Sequence, residues 1–541
     1  MPVAPKTSNP TTPLERDAWP GVSDAIRERF VAEGECCTFS AGDSFFEVGE
    51  IDHPFIFVEE GEVNIVNRLD DHVVVCVNDG SFVGELGLLM GQKTFLAAVA
   101  AQDGVAYTIP VPKLRELIAT VPEIADCVVG AFAARRRMLI EGGEGGLTIV
   151  SDDDDRVGLR LREFAKRNGI PFNYVCRDDA AALEDLRQNC ALPDTGTAVV
   201  LASGRVLEAP DPCTLAQAIG LDLGVDAEDL FDVAIVGAGP GGLAAAVYAA
   251  SEGLKTLIIE DTAIGGQAGT SSRIENYLGF PQGISGSDLA YRAQVQAIKF
   301  GARVAAPRRA TQLERVDDNW RIHLEQDESV LAKAVILANG VQYRRLPIDE
   351  LEKFEGQGIY YAATELEARF CRNTTAVIIG GGNSAGQAAM FLSRYAKCTY
   401  IVVRSGGLAD TMSSYLSDRI HSDDRIELVT HTELDALHGD DHLERITWRN
   451  NETGEAKEID CRALFIMIGA RPNTGWLEGT ISLDDNGFIE TGYEVDATGM
   501  ETSAAGVFAV GDIRAGSVKR VASAVGEGSV VVSAVHGYLA R

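Results

Sequence analysis

Apolar positions along this chain follow three different rhythms. From about Val22 to Gly142 they come in short alternating runs broken by glycine, as in SAGDSFFEVGE and FIFVEEGEVNIVNRL, followed by a helical pair ending in FAARRRMLI. Period-two alternation with glycine at the turns predicts short antiparallel strands wrapped into a β-roll. Residues 146–222 change to strand–helix units: LTIVSDDDD, GLRLREFAKRNG, PFNYV, a second helix, then TAVVLASGRVLEAP. That is a βαβαββ order. From about residue 230 the strands are continuous β-branched runs, DVAIV, TLII and AVII, which predict buried parallel strands. The polar, Pro-rich start MPVAPKTSNPTTPLE reads as a disordered tail over 1–21, and the stretch 223–229 as a linker.

Two of the buried runs lead into glycine-rich turns and Ala-rich helices, DVAIVGAGPGGLAAA from Asp232 and AVIIGGGNSAGQAAM from Ala376. The first carries GxGxxG at Gly237, Gly239 and Gly242. Gly237 permits the tight turn, Gly239 lets backbone approach a pyrophosphate, and Gly242 lets helix and strand pack closely. The helix N-terminus then faces the phosphates with its free N–H groups. About twenty residues on, TLIIE ends in Glu260, placed to accept both ribose hydroxyls. The second turn reads Gly380, Gly382 and, after Asn383 and Ser384, Ala385 in the third position. Its next strand ends in Arg404, which suits the 2′-phosphate of NADP where an acid would suit a free 2′-OH. One chain with two dinucleotide sites passes electrons between them.

Composition narrows the partners. Lys and Arg number 48 against 80 Asp and Glu, a net charge of −32, which disfavours nucleic acid and anionic membrane. No uninterrupted apolar run reaches a membrane span. Ten cysteines without a framework spacing fit reduced thiols in a cytoplasmic protein. The vicinal pair Cys36–Cys37 reads as core. The four acids Asp152–Asp155 read as a solvated loop, and no metal site is expected.

Several motifs resemble low-molecular-weight thioredoxin reductases over residues 229 to 541. GGQ at Gly265–Gln267 and IENYLGFP at Ile274–Pro281, with Asn276, resemble the flavin-contacting loops. LANG at Leu337–Gly340 and IGARPN at Ile468–Asn473 resemble the two interdomain crossovers. GVFAVGDI places Gly511 and Asp512 where that family binds the ribityl and phosphate part of FAD, and KRVASAVGEG, with Val521, opens the last helix against the flavin. The resemblance implies an FAD domain over 230–351 and 467–541, an NAD(P) domain over 352–466, and a hinge near Leu346–Gly358 and Phe465–Gly469. It implies a homodimer, with FAD and NADPH as cofactors and NADH as a possible substitute. The family's CxxC dithiol is missing: Ala362 and Glu365 stand at its positions, and Cys371 follows alone as a weak candidate for redox work.

Residues 22–145 resemble a cyclic-nucleotide-binding domain. GELGLL at Gly84–Leu89 looks like the start of its phosphate cassette, with Glu85 at the position that takes the ribose 2′-OH. The arginine expected next is replaced by the run Lys93, Thr94, Phe95, so binding of a cyclic nucleotide is doubtful. Residues 146–222 resemble a thioredoxin-like domain whose CxxC has become Asp152–Asp155. The expectation is a multidomain protein: β-roll with helices, α/β thioredoxin-like middle, and two Rossmann-like α/β domains. Its expected function is hydride transfer from NADPH to FAD and on to an unidentified acceptor. A ferredoxin or flavodoxin reductase and a flavin-based sensor or adaptor remain open alternatives.

Overall fold

A computed structural model describes residues 12–541 except 52, 145, 154, 222–228, 272, 273, 275, 362, 364, 409–411, 441 and 493–497, and it leaves the side chains of Glu365, Leu366 and Asn383 undescribed. The chain forms two compact units. The first comprises 1–270, 285–340 and 474–541; the second comprises 271–284 and 341–473. The chain passes between them at Thr270–Ser271, Ile284–Ser285, Gly340–Val341 and Asn473–Thr474, the last two at the ends of the LANG and ARPN runs.

The N-terminal part of the first unit is a roll of two four-stranded antiparallel sheets. Phe39, Phe46, Val58, Val63 and Val83 fill the space inside it, as alternation requires. Helix Pro122–Gly142 closes one side through Phe132, which meets the rings of Phe55 and Phe82. The tail expected over 1–21 is partly a helix, Pro13–Ala18, fixed by a capping box between Thr12 and Glu15. Trp19 follows it and lies 3.8 Å under the Arg135 guanidinium, so the segment packs on the roll. The expectation that Cys36 and Cys37 are both core also needs correcting. Neighbours on strand Glu35–Phe39 point to opposite faces, so Cys36 is exposed and only Cys37 turns inward.

The middle module is a four-stranded sheet. Thr148–Ser151 lies between a parallel partner, Asn173–Cys176, and an antiparallel one, Ala198–Val200, with Val206–Glu208 outermost. Asp155 caps helix Arg156–Arg167 through Val157 N–H and accepts the Thr197 hydroxyl, while Asp153 accepts the Tyr174 hydroxyl at 2.7 Å. These two acids of the loop therefore serve the local fold. The module shares its core with the roll: Phe95 and Leu96 pack with Leu147, Leu161 and Leu215.

The rest of the first unit is built on a seven-stranded sheet. Leu230–Val236 lies between Thr256–Ile259 and Ser329–Leu337, parallel to both, and Val507–Ala509 pairs with the latter. From this strand the chain runs outward to Thr256–Ile259 and Arg303–Ala305 on one side and returns at Ser329–Leu337 on the other, so its C-terminal end is the switch point where ligands bind in open α/β sheets. The second unit repeats the arrangement with five parallel strands, Thr375–Ile379 lying between Cys398–Val402 and Ala463–Ile466. A three-stranded antiparallel sheet over residues 432–460 packs with it through Leu434, Leu437 and Trp448. No described helix is long and apolar enough to cross a membrane.

Candidate dinucleotide sites

At the first switch point the backbone leaves no room for side chains. Gly237 has φ +108°, and a Cβ there would overlap the carbonyl of Ala338. A Cβ on Gly242 would overlap the carbonyl oxygen of Gly237, and one on Gly528 would overlap that of Gly241. Helix Pro240–Ser251 is thus seated directly on the turn, and helix Val521–Leu539 directly on it. Gly239 differs. It is the N-cap, extended at φ −70°, with no side-chain cap, and a Cβ on it would meet nothing within 4 Å. Uncapped N–H groups facing open space at a helix start form an anion site.

The other residues of the first unit expected at this site are close by. Glu260 ends strand Thr256–Ile259 and is buried. Its carboxylate accepts Ala238 N–H at 2.7 Å and Thr262 N–H at 3.1 Å. Burial, with Asp261 adjacent, pushes its carboxyl up to about 7, against the pull of those N–H donors. Gly266 passes over the turn, near enough that a Cβ on it would lie 3.1 Å from Gly239 Cα; Gln267 follows, exposed. Gly511 donates to Glu527 at 2.6 Å, and Asp512 beside it is half-buried, its carboxyl raised by burial and lowered by Lys519. Val521 opens the last helix, whose start also has no side-chain cap. Asn276 falls in the second unit.

The second turn repeats this chemistry. Gly380 has φ +137°, where a Cβ would overlap the carbonyl of Met467. Gly382 is the uncapped N-cap of helix Asn383–Leu392. Ser384 is exposed in the first turn, and Ala385 is fully buried in the third-glycine position. The Asn383 side chain lies outside the described residues. Arg404 is exposed just past the end of strand Cys398–Val402.

Of the positions where a dithiol was sought, Ala362 and the Glu365 side chain lie outside the described residues. Cys371 is fully buried, its Sγ 3.5 Å from the Glu367 carbonyl oxygen, and burial pushes its thiol up to about 12. A thiol so protonated and enclosed is a poor nucleophile at neutral pH.

The glycine turns have counterparts in known proteins. Residues 231–528 match the model of the pyridine nucleotide-disulphide oxidoreductases, and residues 36–121 that of the cyclic nucleotide-binding domain. The chain belongs to the pyridine nucleotide-disulphide oxidoreductase family. It is 35% identical over 309 residues to a thioredoxin reductase of Treponema pallidum, covering 57% of this chain and 97% of that protein. It is 33% identical over 312 residues to a 34.2 kDa protein in the rubredoxin operon of Clostridium pasteurianum, covering 58% and 98%. The thioredoxin reductase structure from Streptococcus pyogenes superposes with TM-score 0.53 at 31% identity, covering 57% of this chain and 98% of that one. This chain is therefore a thioredoxin-reductase-like oxidoreductase fused to an N-terminal cyclic nucleotide-binding domain.

Two site residues of this family member were not foreseen. His431 puts its ring beside the loop that follows Arg404, near enough that a Cβ on Gly406 would lie 3.0 Å from its Nε2, and its N–H donates to Ser405 at 3.0 Å. Arg514 forms two hydrogen bonds with Glu527, at 3.2 and 2.9 Å, and so braces the carboxylate that holds Gly511. Neither lies in a glycine motif.

Gly239 and Gly242 make opposite predictions although both belong to one motif. In ligand-free protein, Gly242→Ala should cost about 2–4 kcal/mol of stability because backbone must move. Gly239→Val should leave the thermal midpoint unchanged yet abolish dinucleotide binding. Differential scanning fluorimetry with and without added dinucleotide checks both.

Proposed function

We propose that the chain is an FAD-dependent NAD(P)H oxidoreductase that works without an internal dithiol. The observation that carries this is the pair of uncapped helix starts at Gly239 and Gly382, each at a sheet's switch point with the close backbone packing that dinucleotide folds need. In the first site FAD fits the open space over Gly239, with Glu260 toward the adenosine ribose and Gly511–Asp512 toward the ribityl and phosphate part. Its adenosine hydroxyls would donate to Glu260 and hold that carboxylate in the charged form that burial opposes. When both cofactors are bound, the nicotinamide supplies a hydride to the flavin, which passes electrons on to an acceptor. The protein's share is to bind, orient and exclude water; no side chain at either site is assigned as acid, base or nucleophile.

The remaining assignments rest on the residues present. The middle module is read as thioredoxin-like without its dithiol, supported by its sheet order and by the acids that replace the cysteines. Cyclic nucleotide has no place in the proposal: Glu85 is committed to Arg136 at 2.7 Å, and Lys93 to the Ala218 carbonyl at 3.2 Å. A reductase for acidic carrier proteins is disfavoured because Arg345 is already bound by Glu352 and Glu355. A homodimer in the cytoplasm, with a small molecule or protein as acceptor, completes the reading.

Two outcomes follow. NADPH should be preferred over NADH through Arg404, and Arg404→Ala should remove roughly 1.5–3 kcal/mol of that preference, one charge-assisted phosphate contact. An unchanged NADPH/NADH ratio of kcat/KM in the variant would overturn the 2′-phosphate assignment. NADPH-dependent reduction of a thioredoxin disulfide should be negligible, in wild type and Cys371→Ser alike, because the relay needs an attacking and a resolving thiol. Rapid turnover abolished by that substitution would reveal a thiol path that the buried Cys371 argues against.

A further inference from the structure

One hydrogen-bonded joint connects all three modules of the first unit, and it ends at the first dinucleotide site. Arg136, from the roll's long helix, is 2% exposed. Its Nε and Nη2 reach the two Glu85 carboxylate oxygens at 2.7 and 2.9 Å, Nη2 also reaches Gln92 Oε1 at 3.0 Å, and Nη1 donates to the Gly169 carbonyl at 3.3 Å. Gly169 lies in the turn that ends helix Arg156–Arg167 of the middle module. The two residues before it reach the opposite way. Arg167 Nη2 donates to the Gly266 carbonyl and Asn168 Nδ2 to the Thr262 carbonyl, both at 3.3 Å. Asn168 is also held to its own helix, at 3.0 Å from the Phe164 carbonyl.

Those two carbonyls bracket the loop 262–266. This loop supplies the N–H groups of Thr262 and Ala263 to Glu260, and its end passes over Gly239. A small cavity at the joint takes a wall from each module: Gln92 from the roll, Asn168 and Leu221 from the middle, Ile264 and Gln294 from the nucleotide-binding part. The packing agrees with the hydrogen bonds, because Tyr291 donates to the Ala133 carbonyl at 3.0 Å and Lys299 pairs with Asp126 at 2.7 Å across the roll's long helix.

We propose that this joint is a cofactor latch, in which Arg167 and Asn168 are positioning residues that hold the loop 262–266 closed over the FAD site, braced through Gly169 by the Glu85–Arg136 pair. The inference rests on the reading of the first glycine turn as an FAD site. A ligand gripped by a loop leaves when the loop opens. Bonds from that loop to a packed helix of another module make opening rarer, so they slow release without touching the ligand. The latch also gives the two N-terminal modules a use. Glu85 in the roll is engaged internally by Arg136, yet through Gly169 it remains connected to the flavin loop.

The test is FAD release from full-length holoprotein, followed by flavin fluorescence after dilution, in wild type, Arg167→Ala/Asn168→Ala, Arg167→Lys and Glu85→Gln. Losing two hydrogen bonds should speed release about tenfold in the double variant, and losing the brace should speed it by a smaller factor in Glu85→Gln. Arg167→Lys, still able to donate to a carbonyl, should restore most of the retention. The thermal midpoint of flavin-free Arg167→Ala/Asn168→Ala should stay near wild type, which a merely structural role would not allow. Wild-type release from the double variant, or a lysine variant no better than alanine, would overturn the latch. Hydrogen exchange in flavin-free protein separates the two ideas: loop 262–266 should exchange faster in the double variant whether or not wild type carries FAD. Unchanged exchange overturns the latch, whereas a colourless wild type counts against the function.

Discussion

Backbone pressed against backbone at the first glycine turn is the constraint on which the catalytic half depends. Helix Pro240–Ser251 starts where it does because nothing but hydrogen fits between Gly242 and the Gly237 carbonyl. The last helix is seated by the same means, through Gly528 on Gly241. Together they bring two uncapped helix starts, at Gly239 and Val521, to one side of the sheet. Of the turn's glycines, Gly239 alone has open space where a side chain would stand, and that space is where a pyrophosphate fits. Close packing and an open cradle are thus the same design, two residues apart.

The N-terminal modules engage their own polar side chains internally. In the roll, Glu85 of the GELGLL run pairs with Arg136, whose side chain is 2% exposed while that of Glu85 is 24% exposed. Such a pair is costly to break, since either partner alone is a charge poorly solvated. In the middle module, Asp155 caps helix Arg156–Arg167. Both contacts are structural, and both modules share packed cores with their neighbours.

What was legible in the sequence was local. The glycine turns announce themselves because each glycine answers a clash within a few residues, and the sheets around them follow from the β-branched runs. The helix Pro13–Ala18 was legible too, since Thr12 and Glu15 have capping-box spacing, but the proline-rich composition around them masked it. Cys36 was misread for ignoring that a strand alternates faces. The rest was not local. Glu85 meets Arg136 across 51 residues, and Arg167 meets Gly266 across 99, contacts that no spacing rule encodes. His431 likewise reaches the Arg404 loop only because the next strand of the sheet returns it there.

The account turns on a flavoprotein that holds one electron pair and no more. Anaerobic titration of the purified protein with NADPH measures this directly. It should bleach one FAD per chain with a single equivalent of NADPH and then stop, because Ala362 and Glu365 stand where the family's dithiol would be. A protein without flavin, or one that consumes a second equivalent as cysteines are reduced, would contradict it.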